Sequence, residues 1–320
     1  MRARCEPSYR ARMDLPLSST LTYGVITTVV SVEDARAIAE RSEAQGWDSL
    51  WVGDHVAFTV PIYDPLLQLG ILGAYSKKLR LGTSVYLLPL RHPVPAAKQV
   101  ATLDRMLGGR LEFGVGVGGE FANEYRACGV PLNERGARLS EGIELLRKLW
   151  SGESVTHAGR FYPLENVRML PTPAQRPLPV YCGGRSDGAL ARIGRLADGW
   201  ISYVVTAEQY RAGLEKIAAE AARAQRKLAR FHTGHLLLRS SATATRKRSR
   251  PRPIISRAAT RWTSAKLRSA TPRSASPRTW PRASPSFIAR ACATSSSIWS
   301  AGPRSARSSS RASRPKCAHC

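Results

Sequence analysis

The chain has 320 residues, enough for one large α/β domain or two smaller ones. Its net charge of +26 suggests a polyanionic partner, but 19 of the 49 Lys and Arg residues and none of the 23 acids lie from Arg239 onward. That leaves 30 basic against 23 acidic residues in 1–238, a surplus of only seven, and argues against nucleic acid as the partner. No apolar run is long enough to span a membrane, residues 1–12 lack the apolar core of a signal peptide, and the six scattered cysteines show no disulfide framework; a cytoplasmic protein is expected.

Met13 is a candidate start, which would make the N-terminal extension (residues 1–20) artefactual at least in part. Residues 23–30 (YGVITTVV) are rich in β-branched side chains and predict a first strand. Ser31 caps a helix predicted over 32–45, with Glu33 and Asp34 in the first turn, where the helix dipole favours acids; Gly46 ends it. Residues 49–53 (SLWVG) predict a buried strand followed at once by Asp54 and His55. A leucine-rich helix over 65–75, a third strand over 79–88 and a helix over 95–107 come next.

Residues 108–124, GGRLEFGVGVGGEFANE, are the segment around which the rest is organised. An unbroken apolar run bounded by glycine turns is what a strand buried on both faces carries. Glu120, Asn123 and Glu124 follow its C-terminal end, where parallel α/β folds keep their chemistry. A linker and a helix over 140–150 lead to residues 151–178, where several prolines and no periodicity predict an excursion over the surface. A short strand over 179–182 runs into Gly183, Gly184, Arg185 and Ser186. A helix (187–196), a strand (199–205), a long amphipathic helix (207–227) and a strand (231–238) complete the pattern.

Strand and helix thus alternate seven times with short connections, which predicts a parallel sheet. No GxGxxG opens a helix after the first strand, and functional-looking residues follow several different strands. Both points favour a (β/α)8 TIM barrel, here residues 21–238, lacking its eighth strand and last helices. From Arg239 the chain becomes Arg, Ser, Ala, Thr and Pro in no periodic order. This tail, 239–320, is either a disordered basic arm that binds nucleic acid or a translated wrong frame. The frameshift is the reading adopted, because a seven-stranded barrel leaves an open edge. Cys317 and Cys320 form a C-x-x-C with no second ligand pair, so no metal site is expected.

Four segments converge on one end of the predicted barrel: Asp54 with His55; Gly82, Thr83, Ser84 and Val85; Glu120 with Asn123; and Gly183 to Ser186. Singly, each has a bland alternative, such as a cap, a packed histidine, relief of crowding or a tight turn. Together they predict an active site. WVGDH, LRLGTSV, the RHP turn, GGRLEFGVGVGGEFANE and PVYCGGRSDGALARIGRLADGW resemble the luciferase-like oxidoreductases, most of all the branch that uses the deazaflavin coenzyme F420.

The resemblance implies an oxidoreductase on a (β/α)8 barrel, often dimeric, with its cofactor at the C-terminal ends of the strands. It implies a cis peptide at Ser84-Val85 that props the cofactor ring, and a phosphate site at Gly183, Gly184, Arg185 and Ser186, suited to F420 or FMN. His55 and Glu120 match positions where related deazaflavin enzymes handle protons; Asp54 would fix the cofactor edge and Asn123 orient substrate or ring. The substrate would be a small organic molecule. Residues VAFTVP after His55 lack the tryptophan of the branch's sugar-phosphate dehydrogenases, which argues against a sugar phosphate. The alternatives left open are an FMN-dependent monooxygenase of the same fold, a nucleic-acid-binding protein built on the tail, and an inactive truncated enzyme.

Overall fold

Strand β1 (Gly24–Thr27) is followed by α1 (Val32–Ala44), which Ser31 caps by accepting the Asp34 N–H at 3.1 Å. Then come β2 (Ser49–Val52), α2 (Pro65–Tyr75), β3 (Arg80–Thr83), α3 (Pro93–Met106) and β4 (Leu111–Val115). Helices α4 (Ala122–Ala127) and α5 (Arg135–Trp150) precede a hairpin of β5 (Ser154–His157) and β6 (Leu164–Arg168). The chain returns through β7 (Val180–Gly183), α6 (Asp187–Leu196), β8 (Gly199–Tyr203), α7 (Ala207–Arg223) and β9 (His232–Leu236). These elements come from a computed structural model that describes residues 15–237.

Seven strands form one parallel sheet in the order β1-β2-β3-β4-β7-β8-β9, and the hairpin stands apart. The chain is thus a TIM barrel incomplete among the described residues, as expected. The tail from Arg239, with its C-x-x-C, and Met13 lie outside those residues. At the centre, β4 is buried along its whole length. Leu111, Phe113 and Val115 are fully buried, each stabilising the fold by about 1.5–3 kcal/mol. Phe113 packs against Tyr86 and Trp150, while Glu112 pairs with Arg80 of β3. Trp51 fills the space left by two glycines: a Cβ on Gly24 or Gly82 would come within 2.7 or 2.5 Å of its ring. Apolar residues at the two outer strands stay exposed, among them Tyr23, Ile26 and Leu237.

Five expectations need correction. Residues 15–17 are not an extraneous extension: Leu15 is buried, and the Phe231 N–H donates to the Pro16 carbonyl at 3.1 Å, beside a parallel bridge from Leu17 to Phe231. The third strand stops at Thr83: the cis Ser84-Val85 peptide interrupts it, Tyr86 keeps an isolated bridge to Val115, and a 3-10 turn follows at Leu88–Leu90. Residues 151–178 contain the β5-β6 hairpin. A short helix, α4, occupies part of the expected linker, and α5 begins five residues before the predicted start.

Candidate active site

The sheet delivers β2, β3, β4, β7 and β8 with their C-terminal ends together, because all pairings are parallel. Between them lies the segment after β3. The Ser84-Val85 peptide is cis, where the resemblance implied it. Backbone hydrogen bonds tie this segment to both neighbours: Ser84 N–H to the Val52 carbonyl at 2.8 Å, and Tyr86 N–H to the Gly114 carbonyl at 2.8 Å. The Val85 side chain fits against Gly116 and Gly183. A Cβ on either would come within 2.3 or 3.0 Å of its methyl groups, so the glycines beyond β4 and at the end of β7 exist here to admit Val85.

Asp54 follows β2 but turns away from the opening. Its carboxylate is fully buried, accepting the Leu87 N–H at 2.8 Å and both arms of Arg91 at 2.6 and 3.0 Å. The Arg91 guanidinium also lies 4.3 Å from the Tyr86 ring centroid. Both carboxylate oxygens are thus engaged, and Asp54 fastens the Val85 segment to β2 rather than presenting an edge to a ligand. Gly53 beside it faces open space, where a Cβ would meet nothing within 4 Å.

His55 sits at the opening with its side chain 26% exposed. Its Nδ1 lies 3.0 Å from Glu124 Oε2, and its ring stacks on Phe58 at 3.8 Å and meets Phe121 edge-on at 5.7 Å. Glu124 is 1% exposed, and its other oxygen accepts the N–H groups of Val56 and Ala57 at 2.7 and 3.2 Å. Glu124 and the two phenylalanines lay inside the segments read from the sequence without being assigned a role.

The loop after β4 turns through Gly118 and Gly119, whose φ angles of 54° and 99° favour glycine. It carries Glu120 over to β8, where Oε1 accepts the Tyr203 hydroxyl at 3.2 Å. Burial, and then the Glu120 charge, push the Tyr203 phenol up, which keeps it a neutral donor to that carboxylate. Arg185 packs over the same Tyr203 ring at 5.2 Å and donates to the Val204 carbonyl at 3.1 Å. His55 and Glu120 are therefore linked through one loop, His55 by its contact with Phe121 and Glu120 by position. Asn123 is not brought to the opening: it is exposed, and its side-chain oxygen accepts from Arg126.

Gly184 adopts φ 136° and its carbonyl accepts the Trp200 indole N–H at 2.7 Å. Ser186 caps α6, accepting the Ala189 N–H at 3.3 Å. The start of α6 thus offers first-turn N–H groups, and Gly188 opens onto free space. A cleft of about 310 Å³ adjoins it between α6 and α7, lined in part by Arg185, Trp200, Gln209 and Lys216. The open space at Gly188 beside the first-turn N–H groups of α6 fits a phosphate there. Among the described residues no group of three or more His, Cys, Asp or Glu could hold a metal ion, and no helix is long and apolar enough to cross a membrane.

Comparison with known proteins agrees with this fold. A Mycobacterium tuberculosis protein of uncharacterized function is 33% identical over 184 residues, 51% of this chain and 63% of that protein. An F420-dependent glucose-6-phosphate dehydrogenase of Nakamurella multipartita is 37% identical over 179 residues, 52% of this chain and 50% of that one. The chain therefore spans between half and two thirds of the length of these relatives. Monooxygenase RslO1 from Streptomyces bottropensis superposes with a TM-score of 0.59 at 26% identity, over 67% of this chain and 70% of that one. An F420-dependent secondary alcohol dehydrogenase, solved with an F420-acetone adduct, gives a TM-score of 0.60 at 22% identity over 70% and 68%, a likeness of fold. The family model described as luciferase-like monooxygenase matches residues 16–298, and on that match the chain belongs to the luciferase-like monooxygenase family.

Proposed function

We propose that this protein is an F420-dependent oxidoreductase that moves a hydride between the deazaflavin and a small organic substrate. The observation that carries the proposal is the cis Ser84-Val85 segment seated on Gly116 and Gly183 at the C-terminal ends of the strands, with His55 and Glu120 on the loops that follow β2 and β4. The likeness to F420-dependent dehydrogenases supports it. When bound, the deazaflavin would supply the hydride acceptor or donor; Val85 would support its ring, and the α6 N-terminus with Ser186 would hold its phosphate. Moving a hydride to or from an oxygen-bearing carbon requires a companion proton transfer, which His55 or Glu120 provides. Tyr203 holds Glu120 in place, and Phe58 and Phe121 pack against the ring of His55.

Anaerobic incubation of the full-length chain with F420 and a panel of alcohols, aldehydes and sugar phosphates tests the proposal by bleaching of the deazaflavin absorbance. Glu120→Gln should lower turnover by about 100-fold, a typical loss for a general acid or base, while F420 affinity stays nearly unchanged. Unchanged turnover in that variant would remove Glu120 from the chemistry. The second reading, an FMN-dependent monooxygenase, draws on the likeness to RslO1 and requires oxygen consumption in proportion to product.

A further inference from the structure

The carboxylate of Glu124 makes two kinds of contact, and they assign the proton on His55. Oε1 accepts the backbone N–H groups of Val56 and Ala57, which orients the carboxylate, and Oε2 faces His55 Nδ1 at 3.0 Å. The imidazole cannot swing away, because Phe58 stacks on its face and Phe121 closes its edge. A carboxylate only accepts, so Nδ1 must carry the hydrogen; the neutral ring then has its lone pair on Nε2. Among the described residues no protein group is hydrogen-bonded to Nε2.

We propose that Glu124 is a positioning residue that locks His55 in the Nδ1–H tautomer and so makes Nε2 the atom that accepts a proton from substrate. The proposal rests on the reading of His55 as a proton-handling group, but the tautomer can be observed without any reaction. The alternative is that Glu124 merely caps Val56 and Ala57. An isosteric change separates the two. In Glu124→Gln the amide oxygen retains the two backbone N–H groups, and the NH2 replaces Oε2 and offers a hydrogen to Nδ1. His55 must then turn a lone pair toward it, and its own hydrogen moves to Nε2.

The experiment is nitrogen NMR of the full-length chain labelled at the histidine ring nitrogens, at alkaline pH, with His55 assigned by loss of its signals in His55→Gln. The expected result is Nδ1–H in the wild type and Nε2–H in Glu124→Gln. Alongside it, kcat should fall about tenfold or more, with KM for F420 nearly unchanged. Nε2–H in the wild type, or the same tautomer in both proteins, would overturn the inference. If the variant does not fold, the wild-type spectrum alone decides between the tautomers. A tautomer switch with turnover unchanged would support the hold of Glu124 on His55 and refute the proton-handling role of His55 instead.

Discussion

Removing Asp54 should destabilise the protein through the turn that carries Val85. In Asp54→Ala, Arg91 loses two charge-assisted hydrogen bonds and the Leu87 N–H loses its acceptor in a buried setting. Breaking one side of a buried ion pair costs about 3–5 kcal/mol. Arg91 is 20% exposed and keeps Asp64 at 3.6 Å, so the loss should fall at the lower end, about 3 kcal/mol. For a folded region of this size, that corresponds to a Tm lower by roughly 10 °C. Urea unfolding followed by far-UV circular dichroism measures the loss. The double variant Asp54→Ala/Arg91→Ala should recover part of it, because no unpaired charge is left. A loss under about 1 kcal/mol, or full additivity in the double variant, would refute a tight Asp54–Arg91 pair. F420 affinity lost at full stability would instead return Asp54 to the cofactor edge.

Two further outcomes follow from other parts of the molecule. Burial, aided by Arg230 and Arg80, pulls the His232 imidazole down to about 4 from its ordinary value of 6.5. The unfolded chain therefore takes up the proton first. The contribution is complete above about pH 6.5 and stability is lost as the pH falls from there toward 4. His232→Gln should flatten that acid slope in denaturant midpoints measured across the window, and equal slopes in both proteins would exclude His232 as its source. For the tail, we propose that residues 239–320 are read in a wrong frame. Resequencing the coding DNA around codon 238 should reveal another frame that continues with an amphipathic helix and a further apolar strand. Three frames without such a strand would favour a genuine basic arm, whose affinity for nucleic acid falls steeply with salt.

Local chemistry made much of the fold legible. Ser31 caps the helix it was expected to cap, and the helix at 187–196 runs between the predicted residues. The buried strands β2, β4 and β7 stood out as apolar runs between turn residues. Elements without such signals were missed. Helix α4 is six residues long with no side-chain cap, and the β5-β6 hairpin is largely exposed and so carries little apolar alternation. The candidate site was legible as a set of strand ends but not as a set of partners. Asp54 lies 37 residues from Arg91, and His55 lies 69 from Glu124. No period or spacing encodes such pairs, which only the closing of the parallel sheet brings together. Asn123 shows the converse: a residue in the right segment, one position from Glu124, turns outward on the same helix.

The central claim, that the strand ends around the Val85 segment hold a deazaflavin, is tested most directly by equilibrium titration of the full-length chain with F420 and with FMN, followed by quenching of protein fluorescence. The account predicts saturable binding of F420, tighter than that of FMN. Tighter binding of FMN, with oxygen consumed when the flavin is reduced, would contradict it.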